Sequence, residues 1–422
     1  MNYRKLIRFI LPLAIVFTAG DIGQQVLNGG MARVPDVIAT LAAYGLALGI
    51  KALLATPIAQ AGQLGLVLTE DHRGRRLNQI FILGIAAIVS LILLILGLTP
   101  IGSWLIEDVH SLSSELSTEV QFTLVCLVPL VFLEALTRYY AGLLLRYRRS
   151  DLVSASTFAK IFASIAAVFA LLPLDLVQSR PIWLPIMVIY AGMLAEMLVV
   201  GVGFAIKVKD RLPAESDKTH SLAYAIRFFW PLVFVNAIQG GSRPVINLFV
   251  ARGANGEFGL AVFVIVESIA GMICGWLQEL RYLPAAFRDE ADSLSYIKRF
   301  SIWCGIFGLA MMAGFCWTPL LDVVLVHLIG LDKTIAAACA MPLLIYSIIP
   351  LVTTPRSYLH GVAFVQHRTR ALVPTTPARM GMSVVTLLLL PLWGVEGAVL
   401  AAAAVTTGLI VETVVAWWCL RR

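Results

Sequence analysis

A chain of 422 residues that is 59% hydrophobic and 14% charged, with a mean hydropathy of +0.87, excludes a soluble globular protein, in which about a quarter of the residues would carry charge. A bilayer crossing takes about 20 mostly apolar residues, so twelve crossings with short connections fill this length and leave no room for a large soluble domain. The net charge of +7 would suit a nucleic-acid binder, but its distribution along the chain assigns it to the membrane surface, and no nucleic-acid partner is expected.

The expected spans run in chain order. The first, 6–30, opens on "MNYRKLIRFILPLAIVF", the basic flank and apolar run of a signal peptide. The apolar pattern continues through Asp21 and Gln24 without a small-residue cleavage site, which predicts an uncleaved first helix. The second, 37–62, holds Lys51. Spans at 78–98, 119–144, 153–174 and 182–206 follow; the fourth carries Glu134 and Arg138, the fifth Lys160 and the sixth Glu196. The seventh, 223–250, contains Gln239 and most of "GGSRPVINLFVARG", with Arg243 and Asn247 inside it. The remaining spans are 258–282 (Glu267, Glu279, Arg281), 300–320, 335–363 (Arg356), 371–393 (Arg379) and 395–420 (Glu412). Pro12, Pro57 and Pro231 would kink their helices, freeing carbonyls or simply shaping packing. The six cysteines lie singly in apolar stretches with no C-x-x-C, a pattern of packing thiols rather than disulfides or metal ligands.

Alternate loops differ in charge. One set holds Arg4, Lys5, Arg8, Arg73, Arg75, Arg76, Arg146, Arg148, Arg149, Lys207, Lys209, Arg211, Lys218, Arg288, Lys298, Arg299, Arg368, Arg370, Arg421 and Arg422; the other holds only Arg33, Arg180, Arg252 and Lys333. Basic loops stay on the cytoplasmic side, so both termini are expected there.

The chain also repeats. At an offset of 219, "LIRFILPLAIV" falls on "AIRFFWPLVFV", and Arg8, Pro12, Asn28 and Arg33 meet Arg227, Pro231, Asn247 and Arg252. The same offset carries Tyr139 onto Tyr358, Gly142 onto Gly361, Arg149 onto Arg368 and Lys160 onto Arg379; "GMLAE" (192–196) meets "GLIVE" (408–412) at 216. Six crossings per half give both halves one orientation, so the expected fold is an all-α polytopic membrane protein of twelve transmembrane helices in two parallel six-helix repeats. The lobes are read as 1–209 and 223–422, with a cytoplasmic linker at 210–222. Parallel-repeat transporters bind substrate near mid-membrane and expose it alternately to the two sides.

Charges inside spans are costly, about 2.5–3.5 kcal/mol each on insertion scales, and must face a partner or a water-filled cavity. Glu134 and Arg138, four apart, share a helix face and read as a pair; Glu279, Arg281 and Arg227 read as interfacial. The central cations are Lys51, Lys160, Arg243, Arg356 and Arg379, and the acids able to neutralise them are Asp21, Glu196, Glu267 and Glu412. Cations facing a common low-dielectric chamber would attract a polyvalent anion, and the arginine fork suits carboxylate and phosphate oxygens. Arg243 has two readings, an anion site or a pair with Asp21 or another acid. Asp21 and Glu412 either neutralise arginines or act as protonatable coupling groups. Gln24, Gln25, Asn28, Gln239 and Asn247 supply neutral hydrogen bonds, to substrate or between helices. No Walker loop, H-E-x-x-H or nucleophile elbow is found, so neither an enzyme nor a cofactor nor a metal site is expected, and transport would be secondary or facilitated.

At these residues the sequence resembles the progressive ankylosis (ANK) protein family, in the stretches "DIGQQVLNGGMA", "LAAYGLA", "GLVLTEDHRGR", "RFFWPLVFVNAIQGGSRPVINLFVAR", "GWLQELRYLPAAF" and "GVEGAVL". That family belongs to the MATE-like (MOP) exporter superfamily, and the likeness runs in register over nearly the whole chain. The resemblance implies the twelve-helix, two-lobed fold and export of polyvalent anions, the family being associated with pyrophosphate, ATP and citrate efflux. Asp21, Gln25, Asn28, Lys51, Arg243, Asn247, Glu279, Arg281, Arg356, Arg379 and Glu412 fall on family-like positions; Arg138, Lys160, Glu196 and Glu267 depart from the pattern. Tight loops imply a bacterial homologue in the inner membrane, expected to act as a monomer. The rival readings are a flippase for an anionic lipid-linked substrate, a cation-coupled drug exporter, and a non-transporting scaffold.

Overall fold

The computed structural model describes the chain except for residues 1, 32, 110–112, 215–219, 254–255, 291, 329–332 and 422, and it leaves out the side chains of 18–26, 28–29, 37–38, 108–109, 251, 256–257, 261 and 328. Every regular element among the described residues is helical. In chain order the long ones are α1 (Tyr3–Met31), α2 (Val37–Leu54), α3 (His72–Leu98), α4 (Ser114–Cys126), α5 (Val128–Arg146), α6 (Ser150–Leu171), α7 (Trp183–Lys207), α8 (Leu222–Ala251), α9 (Gly256–Cys274), α10 (Ser293–Cys316), α11 (Lys333–Tyr346), α12 (Ile349–Val365), α13 (Thr375–Leu389) and α14 (Gly397–Arg421). Among the described residues nine helical spans are long and apolar enough to cross a bilayer, and two bent pairs bring the number to eleven. α1, with 29 residues, is a further long helix.

Local chemistry sets the ends and breaks. Asp71 caps α3 by accepting from Gly74 N at 2.6 Å, and Thr99–Pro100 stops it. The second span bends by 60° between 39–54 and 58–68, at Pro57. The fourth breaks at Leu127, with Pro129 in the first turn of α5, and the tenth bends by 44° between α11 and α12, with Pro350 in the first turn of α12. The prolines Pro12 and Pro231, read as kinks, lie inside the continuous helices α1 and α8.

The repeat is visible element by element. α4 and α5 start 219 residues before α11 and 221 before α12, and α3 starts 221 before α10. The corners after α5 and α12 are the same turn: Arg148 (φ 59°) and His367 (φ 55°) are left-handed, and Arg149 N and Arg368 N donate to Leu144 O and Ala363 O at 2.8 and 2.9 Å. This six-to-one bond is how a helix closes on a left-handed residue. The backbone also makes matched close approaches. A Cβ on Gly142 would strike Gly62 O, and one on Gly361, 219 residues on, would lie 2.6 Å from Arg281 O.

Contacts divide the chain into two compact units, Ala19–Phe229 (the N-terminal unit) and Met1–Thr18 with Trp230–Arg422 (the C-terminal unit). The boundaries thus differ from the expected 1–209 and 223–422: the first 18 residues group with the C-terminal half, and residues 210–229 with the N-terminal half. α1 and α8, repeat equivalents, are the helices that contribute to both. Bulky apolar side chains such as Ile80, Ile88, Leu91 and Leu98 on α3 point outward, a liability in water and the normal state against acyl chains.

Candidate functional site

Each unit holds a polar cluster within its apolar shell. In the N-terminal unit Lys51 of α2 is bonded to Glu134 of α5, whose other oxygen accepts from Arg138 Nε at 3.1 Å. The lysine is nearly sealed, 8% exposed, while the arginine is half-exposed. Lys160 of α6 lies 2.9 Å from Glu196 of α7 and keeps 38% of its side chain exposed. Beside them is a cavity of ≈ 350 Å³ whose walls include Tyr44, Lys51, Glu134, Thr157, Lys160 and Ser164. A volume near the bottom of the ~300–1,000 Å³ usual for small-molecule sites suits a compact ligand.

In the C-terminal unit the polar stripe on α8 follows from spacing: Gln239, Arg243 and Asn247 are four apart and share one face. Gln239 Nε2 donates to Glu412 at 3.1 Å, and Arg243 pairs with Glu267 of α9 at 2.9 Å while remaining 56% exposed. Asn247 Oδ1 is buried without a hydrogen-bond partner among the described residues. Glu412 of α14 is wholly buried, with Arg356 Nε of α12 at 2.8 Å and Arg379 Nη1 of α13 at 3.3 Å. His360, one turn after Arg356, brings Nε2 to 3.7 Å from the same carboxylate. The buried Tyr346 hydroxyl has no hydrogen-bond partner among the described residues. Two arginines on one sealed carboxylate satisfy the rule that a buried charge needs a counter-ion, and leave one positive charge over.

The sequence-derived residues therefore fall into these two clusters. Lys51, Glu134, Arg138, Lys160 and Glu196 come together in the N-terminal unit, and Gln239, Arg243, Asn247, Glu267, Arg356, Arg379 and Glu412 in the C-terminal unit. The side chains of Asp21, Gln24, Gln25 and Asn28 lie outside the described set. Arg243 takes Glu267 as its partner, one of the acids left open for it, and Lys51 takes Glu134, 83 residues away, which local spacing had assigned to Arg138 alone. Glu279 and Arg281 do not end an ordinary helix; they sit on a 3-10 stretch (Gly275–Tyr282), where Arg281 Nη2 donates to the Tyr282 hydroxyl at 3.3 Å and its Nε is buried without a hydrogen-bond partner among the described residues.

The repeat shows in the chemistry too. Lys160 and Glu196 are bonded in one unit as their equivalents Arg379 and Glu412 are in the other. A glycine lies beside each pair: a Cβ on Gly192 would meet Ser164 Oγ and Lys160 Cγ, and one on Gly408 would meet Ser383 Oγ and Arg379 Cγ, the two Cγ distances both 3.2 Å. Ser164 and Ser383, again 219 apart, were missed in the sequence although the offset points at both. Among the described residues no group of three or more His, Cys, Asp or Glu is arranged to hold a metal.

A family model for the progressive ankylosis protein (ANKH) matches residues 1–318. The chain belongs to the progressive ankylosis family. Its fold is that of solved transporters: the eukaryotic MATE transporter AtDTX14 matches with a TM-score of 0.74 at 12% identity, over 99% of this chain and 95% of its own. A mutant of the Vibrio cholerae MATE transporter VcmN matches at 0.72 and 12%, over 99% and 96%. A MOP superfamily transporter from Pyrococcus furiosus, described as having a binding pocket of reverse polarity that suggests a different function, matches at 0.68 and 14%, over 98% and 95%. Identities this low speak for the fold alone, and on that point they agree with the repeat. This progressive ankylosis family member is an all-helical, multi-pass membrane protein with the two-repeat fold of the MATE transporters.

Proposed function

We propose that the protein exports small polyvalent anions, of the pyrophosphate, nucleotide or citrate type, across the cytoplasmic membrane by alternating access. Lys51, Arg243, Arg356 and Arg379 supply the attracting charge, and Gln25, Asn28, Gln239 and Asn247 supply neutral hydrogen bonds. Asp21, Glu196, Glu267 and Glu412 balance the empty site. The observation that carries this reading is a surplus of cations over described acids around Glu412, where the buried Arg356 and Arg379 share one sealed carboxylate. Such a surplus inside an apolar shell is expensive unless an anion completes it.

Three further points support the proposal. Arg243 is held by one acid yet keeps more than half its side chain open, as a group that meets a solute would. The Pyrococcus furiosus relative in fold is a precedent for altered pocket polarity on this architecture. A membrane potential negative inside drives anions outward by about 2.3 kcal/mol per charge per 100 mV, enough for a uniporter. The basic loop set supports cytoplasmic termini, and on this reading the chain works as a monomer in an inner membrane.

The deciding experiment is efflux of pyrophosphate, citrate and ATP from loaded proteoliposomes. Flux of at least one of them, cut about tenfold or more by Arg243→Ala, is expected. No flux of any from folded protein sinks the proposal. A drug-cation exporter would instead keep its transport in Arg243→Ala and lose it in Asp21→Asn.

A further inference from the structure

The two repeat-related constellations share a backbone but differ in how well they are satisfied. In the C-terminal unit the Ser383 hydroxyl donates to Ala404 O at 2.8 Å, and Glu412, wholly buried, is held by Arg356, Arg379 and Gln239. In the N-terminal unit Glu196 has Lys160 as its one partner among the described residues. Thr137, Ala141 and Gly20 stand where Arg356, His360 and Gln239 stand in the other repeat, and the Thr137 hydroxyl is turned to Leu133 O and Met197 Sδ. Ser164, the equivalent of Ser383, has no hydrogen-bond partner among the described residues and lines the ≈ 350 Å³ cavity together with Lys51 and Lys160. Glu134, on the same wall, already serves two cations. An unused hydroxyl, a singly held and partly exposed ammonium and a second lysine therefore converge on one small chamber.

We propose that this cavity is an oxyanion site whose ligand takes Lys160 over from Glu196: a compact anion with at least two negative oxygens engages Lys51 and Lys160, accepts from Ser164, and leaves Glu196 as the displaced counter-ion. The assignment rests on the anion-transport reading and deepens it. A lysine on a flexible stem can change partners without moving its helix, whereas the Arg356–Glu412–Arg379 arrangement, sealed and doubly held, cannot release its carboxylate so cheaply. The C-terminal copy is then a fixed pin and the N-terminal copy the exchangeable contact. The cavity volume favours pyrophosphate or a tricarboxylate over a nucleotide.

Calorimetric titration of the purified full-length protein with inorganic pyrophosphate and with citrate tests this. Glu196→Gln removes the competitor and is expected to tighten binding about three- to tenfold, the reverse of what a purely structural ion pair predicts. Lys160→Gln is expected to weaken it about tenfold or more, and Ser164→Ala about two- to fivefold, with unfolding temperatures close to the parent. If Lys160→Gln does not fold, Glu196→Gln and Ser164→Ala still decide. Parent-level binding in Glu196→Gln, or weaker binding, overturns the displacement while the transport reading stands. No binding and no flux of either anion in the parent protein overturns both.

Discussion

Lys160–Glu196 and Arg379–Glu412 are one ion pair built twice, and the two copies have come to differ. Both bridge the last two helices of a six-helix repeat, each beside a glycine and a serine that let those helices close. Around Glu412 the sequence adds Arg356, His360 and Gln239, and the carboxylate disappears from the surface. Around Glu196 it adds no further partner among the described residues, and the lysine opens onto a cavity. The neighbours, not the pair itself, decide whether a buried charge pair acts as a fastening or as an exchangeable contact.

Mutation can break that contrast. The largest effect is expected for Glu412→Ala, which strands two buried arginines and should cost about 3–5 kcal/mol of stability, against at most about 1 kcal/mol for Glu196→Ala. Thermal unfolding in detergent reads both, and equal losses would erase the distinction. Next is backbone packing: Gly142→Ala, driven into Gly62 O, should cost about 1–3 kcal/mol. Gly84→Ala, with nothing within 4 Å, should be neutral or stabilising by up to about 1 kcal/mol in the same assay. The smallest contrast separates the repeat-related tyrosines. The fully buried Tyr139 hydroxyl shares a 2.9 Å hydrogen bond with Thr69, which also accepts from Asn78, whereas half-buried Tyr358 reaches Leu294 O at 3.3 Å. Tyr139→Phe should therefore cost about 1–1.5 kcal/mol and Tyr358→Phe about 0.5 kcal/mol.

Much of the fold was legible before any coordinates. The offset of 219 aligned arginines, prolines and tyrosines that generic hydrophobicity does not align, and the helix boundaries repeat at nearly that spacing. The breaks were less legible. Pro57 marked the bend of the second span, but the interruptions at Leu127 and between Tyr346 and Ile349 fall in apolar runs that read as continuous. The contact-defined units divide α1 and α8 where the sequence lobes do not, because hydropathy says where a helix lies in the chain and nothing about which half its surface packs against.

For the candidate site, sequence alone determined which charges stand inside the membrane, because an apolar stretch makes each Lys, Arg, Asp or Glu conspicuous by its cost. It also determined that two of them, Lys160 and Arg379, are equivalent. Only the tertiary structure decided the pairing: Lys51 with Glu134, Arg243 with Glu267, and two arginines on Glu412. Pairing depends on which helix faces meet, across separations of 24 to 83 residues that no local spacing rule reaches, and so does the difference between a charge that is sealed and one that looks into a cavity.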